Sequence, residues 1–121
     1  MHELSLCHHI AGIAERARDG RSVIAVHVRV GQLRQVVPET LVWCWGMVTE
    51  DTPLAGSRLE VDHVPVVVDC ASCGATTTLA HALVLTCGDC ESGETSIRTG
   101  EELLVTTLDL APATVPTAQE T

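Results

Sequence analysis

The sequence predicts an α+β fold, with two helices on a small, mainly antiparallel sheet and a four-cysteine module inserted before the last strand. Three observations predict it. Apolar residues recur at three- and four-residue steps near the N-terminus, they alternate over 23–30 and 102–110, and between 69 and 101 they give way to two C-x-x-C pairs. A chain of 121 residues is long enough to bury one core and too short for two large lobes.

From Leu4 to about Arg18, residues Leu6, Ile10, Ile13, Ala14 and Ala17 form the stripe of an amphipathic helix, which Asp19-Gly20 then ends. Val23 to Val30 alternates, placing Ile24, Val26, Val28 and Val30 on one side and Val23, Ala25, His27 and Arg29 on the other. This predicts a half-buried strand closed by Gly31. A second helix is expected from Pro38, whose fixed φ suits a first helical turn, with Glu39 at the positive end of the dipole, running to about Thr49. Pro and Gly in Glu50 to Ser57 mark a turn, and Arg58 to Val68 reads as one long strand interrupted by Pro65. Leu103, Val105 and Leu108 belong to a strand over 102–110 that returns to the first sheet. The expected organisation is an α/β domain over 1–68 completed by a strand at 102–111, a cysteine module over 69–101, and a disordered tail over 112–121.

The formal net charge is −9, from 16 acidic and 7 basic residues, which repels phosphate backbones and favours cationic or metal-handling partners. Phe and Tyr are absent and only Trp43 and Trp45 are aromatic, so stacking platforms for single strands are missing; nucleic-acid binding is not expected. No basic leader precedes an apolar core in MHELSLCHHI, and runs such as Val64 to Val68 are far too short to span a bilayer, so a cytoplasmic protein without a membrane segment is expected.

The strongest motif is C-x2-C-x13-C-x2-C, formed by Cys70, Cys73, Cys87 and Cys90. A two-residue spacer lets one tight turn aim two thiolates at one ion, and Gly74 and Gly88 stand where positive φ is often required. Four thiolates close a tetrahedron, leave no position for substrate, and make a bound Zn²⁺ structural. An iron–sulfur cluster uses the same ligands and is not separated from zinc by sequence. A redox dithiol would need a thioredoxin-like setting that is absent. Cys7 and Cys44 fall on predicted helices among apolar neighbours and read as core residues. His81 reads as a strand or surface histidine. His8 and His9 are adjacent on a helix, diverge, and make a poor clamp.

At a free terminus, Met1-His2-Glu3 is a compact chelator. The α-amine, the His2 amide and the His2 imidazole close small fused rings on one ion, and the Glu3 amide or carboxylate takes a further position; such a donor set suits Ni(II) or Cu(II). A zinc hydrolase is opposed by the all-cysteine ligands and the absence of H-E-x-x-H.

The opening MHELSLCHHI, the strand VIAVHVRVGQL, the stretch VVPETLVWCWGMVTEDTPLAGSRLEV, the cysteine pairs and the closing GEELLVTTLDL together resemble the HypA/HybF hydrogenase maturation proteins, from about Met1 to Leu110. The resemblance implies a nickel metallochaperone, not an enzyme. It implies structural zinc on Cys70, Cys73, Cys87 and Cys90, and transient nickel at Met1, His2 and Glu3, with His2 indispensable. It further implies transfer to the large subunit of [NiFe]-hydrogenase alongside a HypB-type GTPase, from a monomer or homodimer. The sequence departs from the family at Trp43 and Trp45, at an Asp89 turn without the usual proline, and in its tail. The competing reading is a zinc-ribbon interaction adaptor with no nickel role.

Overall fold

The computed structural model describes residues 3–79 and 85–112. Met1, His2, His81 and the tail beyond Pro112 lie outside the described residues. The first helix, α1 (Glu3–Ala17), buries Leu6, Cys7, Ile10 and Ala14, and stops where Asp19 and Gly20 take positive φ. Ala17, expected on the buried stripe, is exposed at the last residue of the helix.

Strand β1 (Val23–Gly31) is the centre of a three-stranded sheet and leads through a 3-10 turn (Gln32–Arg34) to α2 (Pro38–Thr49). α2 begins at the expected proline and buries Leu41, Cys44, Trp45 and Thr49. The Trp45 indole N–H donates to Ser57 Oγ at 3.0 Å, so the large ring enters the core without stranding its polar atom. β2 (Arg58–Val64) then lies parallel to β1, from Ala25 opposite Arg58 to Gly31 opposite Val64. A parallel pair needs a crossover, and α2 supplies it.

Ile24 does not share the buried face of Val26, Val28 and Val30. The pairing of β1 with the last strand, β6 (Leu103–Leu110), shifts between Val23, opposite Leu110, and Ala25, opposite Asp109. The extra residue, Ile24, bulges out and is 44 % exposed, which brings both Val23 and Ala25 inward. β6 returns to the first sheet as expected, and its Leu103, Val105 and Leu108 pack on the core from half-buried positions.

The long strand expected over 58–68 is two strands in two sheets. Pro65 has no N–H for the ladder, so β2 ends at Val64, and β3 (Val66–Cys70) becomes the centre of a second sheet between β4 (Thr76–Leu79) and β5 (Thr95–Thr99). Among the described residues, β3–β4, β3–β5 and β1–β6 are antiparallel and β1–β2 is parallel, so the first sheet is mixed while antiparallel pairing predominates.

The sheets meet at a tight joint. Gln32 Oε1 accepts from Val66 N at 3.0 Å, Leu33 N donates to Gly100 O at 2.8 Å, and Gly31 N donates to Glu102 O at 2.7 Å. Two glycines make this possible. A Cβ on Gly31 would collide with the Gly100 carbonyl, and Gly100, at φ 116°, would place one 2.8 Å from Val66 Cα. Among the described residues, no helix is long and apolar enough to cross a membrane.

Candidate metal centre

Cys70 ends β3, and Cys87 lies in a second turn of the same construction. Each cysteine N–H donates five residues on, Cys70 to Ala75 O and Cys87 to Ser92 O, both at 2.9 Å; each carbonyl accepts from four residues on, Gly74 N and Glu91 N, both at 3.0 Å. The fifth position of each turn takes positive φ, 78° at Gly74 and 62° at Glu91. Gly88 is therefore not the left-handed residue the sequence suggested. Its N–H donates to Thr77 Oγ1 at 3.0 Å, and a Cβ would press on Thr77 Cγ2 at 3.1 Å, so it serves close approach to β4.

The two turns converge. The sulfur atoms of Cys70, Cys73, Cys87 and Cys90 all lie within 4.8 Å of one another, with Cys70 to Cys90 and Cys73 to Cys87 each at 3.5 Å. Thiolates held ~2.3 Å from one tetrahedral ion stand roughly 3.8 Å apart, so the set fits a single soft-liganded ion. Ala71 N donates to Glu94 O at 2.8 Å, and the hydroxyls of Ser72 and Ser92 share a 3.0 Å hydrogen bond between the turns.

The first cysteine of each pair is built to be a thiolate. Cys70 Sγ accepts from Ser72 N at 3.3 Å and Cys73 N at 3.4 Å; Cys87 Sγ accepts from Asp89 N at 3.3 Å and Cys90 N at 3.5 Å. The N–H of Cys73 thus holds the Cys70 thiol below its ordinary value, and the N–H groups of Cys90 and Asp89 bring Cys87 to about 6. The second cysteines behave oppositely. An Ala75 N–H favours the Cys73 thiolate, but protons shared with Cys87 and Cys90 outweigh it and push the thiol up to about 12; Cys90 is likewise raised by Cys70 and burial despite a Ser92 N–H. Four cysteines crowded together, the first of each pair favoured as a thiolate by backbone N–H groups, make a site where a divalent cation displaces protons. Carboxylate support comes from Asp69, whose oxygens accept from Thr76 Oγ1 at 2.9 Å and Arg98 Nε at 3.0 Å, holding its pKa below the ordinary value.

The remaining cysteines do not join this cluster. Cys7 and Cys44 are buried in the helix core, as their apolar neighbours suggested, and Cys7 Sγ donates to Leu41 O at 3.2 Å. His8 and His9 are exposed on α1. Of the N-terminal candidates, Glu3 is the first residue of α1, and one of its carboxylate oxygens accepts from Val37 N, ahead of α2, at 3.2 Å.

The sequence model of a family described as hydrogenase/urease nickel incorporation, metallochaperone, hypA, matches residues 1–110. The chain belongs to the HypA family. A hydrogenase maturation factor HypA of Desulfosudis oleivorans is 38 % identical over 119 residues, covering 91 % of this chain and 98 % of that protein. One from Chloroflexus aurantiacus is 39 % identical over 112 residues, covering 90 % and 98 %. The solution structure of the Ni metallochaperone HypA from Helicobacter pylori shares the fold, with a TM-score of 0.63 at 20 % identity over 91 % of this chain and 97 % of that one. The HypA match includes Met1 to Glu3 and both cysteine pairs. Sequence reasoning found the cluster but not its supports. Ser72, Ser92, Thr77 and the Asp69–Arg98 pair carry no spacing signal and become visible only when the turns face each other.

Proposed function

We propose that this chain binds Ni(II) as cargo through Met1, His2 and Glu3 and delivers it during maturation of [NiFe]-hydrogenase, while Cys70, Cys73, Cys87 and Cys90 hold a structural zinc ion. The observation that carries the nickel reading is the HypA-family match running from the first residue, where the α-amine, two successive amides and an imidazole offer nitrogen donors that suit Ni(II). For zinc, the support is the sulfur cluster, whose separations within 4.8 Å suit one ion better than a multi-iron cluster. Bound there, zinc supplies cross-linking of the two turns. A closed set of four cysteines leaves no site for a substrate, and this favours a carrier over an enzyme.

Transfer calls for a recipient and a means of release, read here as the hydrogenase large subunit and a HypB-type GTPase acting in the cytoplasm on a monomer or homodimer of this chain. The chain is divided into a nickel-binding unit, 1–68 with 102–111, and a zinc module over 69–101, with β3 already serving the second sheet. The test is complementation of a host lacking its own HypA, grown without added nickel. Wild type should restore hydrogenase activity and His2→Ala should not, whereas equal activity of the two would leave the chain a zinc-ribbon adaptor.

A further inference from the structure

Opposite its buried side, α2 turns an apolar face to solvent. Val42, Trp43 and Met47 are 46 %, 67 % and 47 % exposed. The chain has two tryptophans and no Phe or Tyr, so one of its two large aromatic side chains stands in water. Between Trp43 and Met47 sits Gly46, where an added Cβ would meet nothing within 4 Å. Glycine inside a helix is unfavourable relative to alanine, and no neighbour among the described residues requires it here. Its effect is on the surface: one groove, floored by Gly46, runs beside Trp43, Met47 and Glu50, and another runs beside Val42, Leu59 and Glu60.

The ends of this stripe are acidic. Glu39 precedes Trp43 by four residues and Glu50 follows Gly46 by four, both exposed. Among the described residues, neither is ion-paired to an arginine or histidine, and the arginine at the groove, Arg58, is engaged by Glu60 at 3.1 Å.

We propose that the outward face of α2 docks a partner's amphipathic helix, whose apolar stripe is flanked by arginine or lysine and seats one side chain over Gly46 beside Trp43. An indole at the centre of an apolar patch with a polar rim is the usual anchor of such an interface, and a helix laid in a groove is read by residues at this spacing. Charge decides the occupant. A second copy, antiparallel on this face, would set Glu39 against Glu50 and bring together two chains of net charge −9. The chain's own last residues, 113–121, include one glutamate and no basic residue, and are as poorly matched.

The probe is a synthetic helical peptide with leucines at i, i+3, i+4 and i+7 flanked by arginine and lysine, alongside the same peptide with glutamate flanks. Each is titrated into untagged, zinc-loaded protein while tryptophan emission is followed. The basic peptide should bind and shift the Trp43 emission to the blue, with affinity falling as salt rises. The acidic peptide should not bind. Measured by isothermal titration calorimetry, since Trp43→Ser lacks the reporting indole, Trp43→Ser and Gly46→Leu should each weaken binding by about tenfold or more, while helical circular dichroism and zinc content stay at wild-type values. Gly46→Ala, which leaves most of the groove open, should bind within a fewfold of wild type. Equal binding of the two peptides, or unchanged binding by folded Gly46→Leu, overturns the proposal. So does a concentration-dependent dimer that Trp43→Ser abolishes, which gives the face to a second copy, or a blue shift produced by anionic phospholipid vesicles and not by the peptide.

Discussion

Glu3 and Val37 are joined by a carboxylate-to-amide hydrogen bond of 3.2 Å, and one helical turn on, the Cys7 thiol donates to Leu41 O at the same distance. Both links span 34 residues, so the first turns of α1 and α2 run side by side in one direction. The residue that starts α1 therefore also ties the proposed nickel-binding terminus to the second helix. Glu3→Ala should leave fold and zinc intact and speed hydrogen exchange at the Val37 amide by roughly 2- to 10-fold, the loss of one such bond. Glu3→Gln keeps an acceptor oxygen and should fall between. Unchanged exchange at Val37 in Glu3→Ala would show that the bond does not hold in solution.

Two glycine-to-alanine changes should have opposite signs. Gly31→Ala forces a methyl group into the Gly100 backbone where the sheets join and should cost about 1–3 kcal/mol or more. Gly46→Ala adds helix propensity in open space and should stabilise by about 0.5–1 kcal/mol. Urea unfolding of the three proteins gives both numbers, and similar midpoints for all three would contradict the packing described at the joint.

The core thiol of Cys7 sets an alkaline limit. Burial first, then the neighbouring charges of Cys44 and Glu3, pushes its pKa up to about 12 from 9.0. The folded state thus keeps a proton that the unfolded chain releases, so this stabilisation is complete below pH 9 and is lost as pH rises toward 12. All seven basic residues are arginine and tyrosine is absent, and once zinc holds its four thiolates Cys44 is the one other cysteine in the chain. Stability of the zinc-loaded protein should fall above pH 9, and the slope in Cys7→Ala should be shallower by up to about 1.4 kcal/mol per pH unit. Parallel profiles for the two proteins would mean that the thiol is solvated.

Metal removal should divide the chain unevenly. The cysteine turns bury little besides Cys70 and Cys87 themselves, whereas the first sheet and helices share a core containing Ile10, Leu41, Trp45 and Val28. A structural zinc site supplies roughly 10 kcal/mol or more, so a strong chelator, or Cys73→Ala, should unfold β4, β5 and both turns. The buried Trp45 should keep its near-ultraviolet dichroism. Loss of that signal together with the turns would make the molecule one cooperative unit, and zinc retained by Cys73→Ala would refute the four-ligand site.

What the sequence made legible was whatever has a local cause. The stripe of Leu6, Ile10 and Ala14, the proline start of α2 and the spacing of the four cysteines each determine nearby backbone, and each lies where it was expected. The departures have non-local causes. Alternation places Ile24 with Val26, but pairing to β6 inserts a bulge between them and turns Ile24 outward. Pro65 was visible as an interruption, yet that the chain changes sheets there depends on Gln32 and Gly100, more than thirty residues away on either side. Gly88 was read as a left-handed turn residue, a place that Glu91 takes because the two cysteine turns repeat one hydrogen-bond pattern.

The central claim is that the first residues carry nickel independently of the cysteine site. It is tested most directly by equilibrium titration of Ni(II) into untagged, zinc-loaded wild-type and His2→Ala proteins, with both metals counted per chain. The terminus must begin at Met1, since any added residue converts the amine into an amide. The expected result is one nickel per wild-type chain, with affinity falling at lower pH as protons compete for amine and imidazole. His2→Ala should bind no nickel specifically and should still hold one zinc. Equal nickel binding by the two proteins, or nickel taken up only as zinc is displaced from the cysteines, would contradict it.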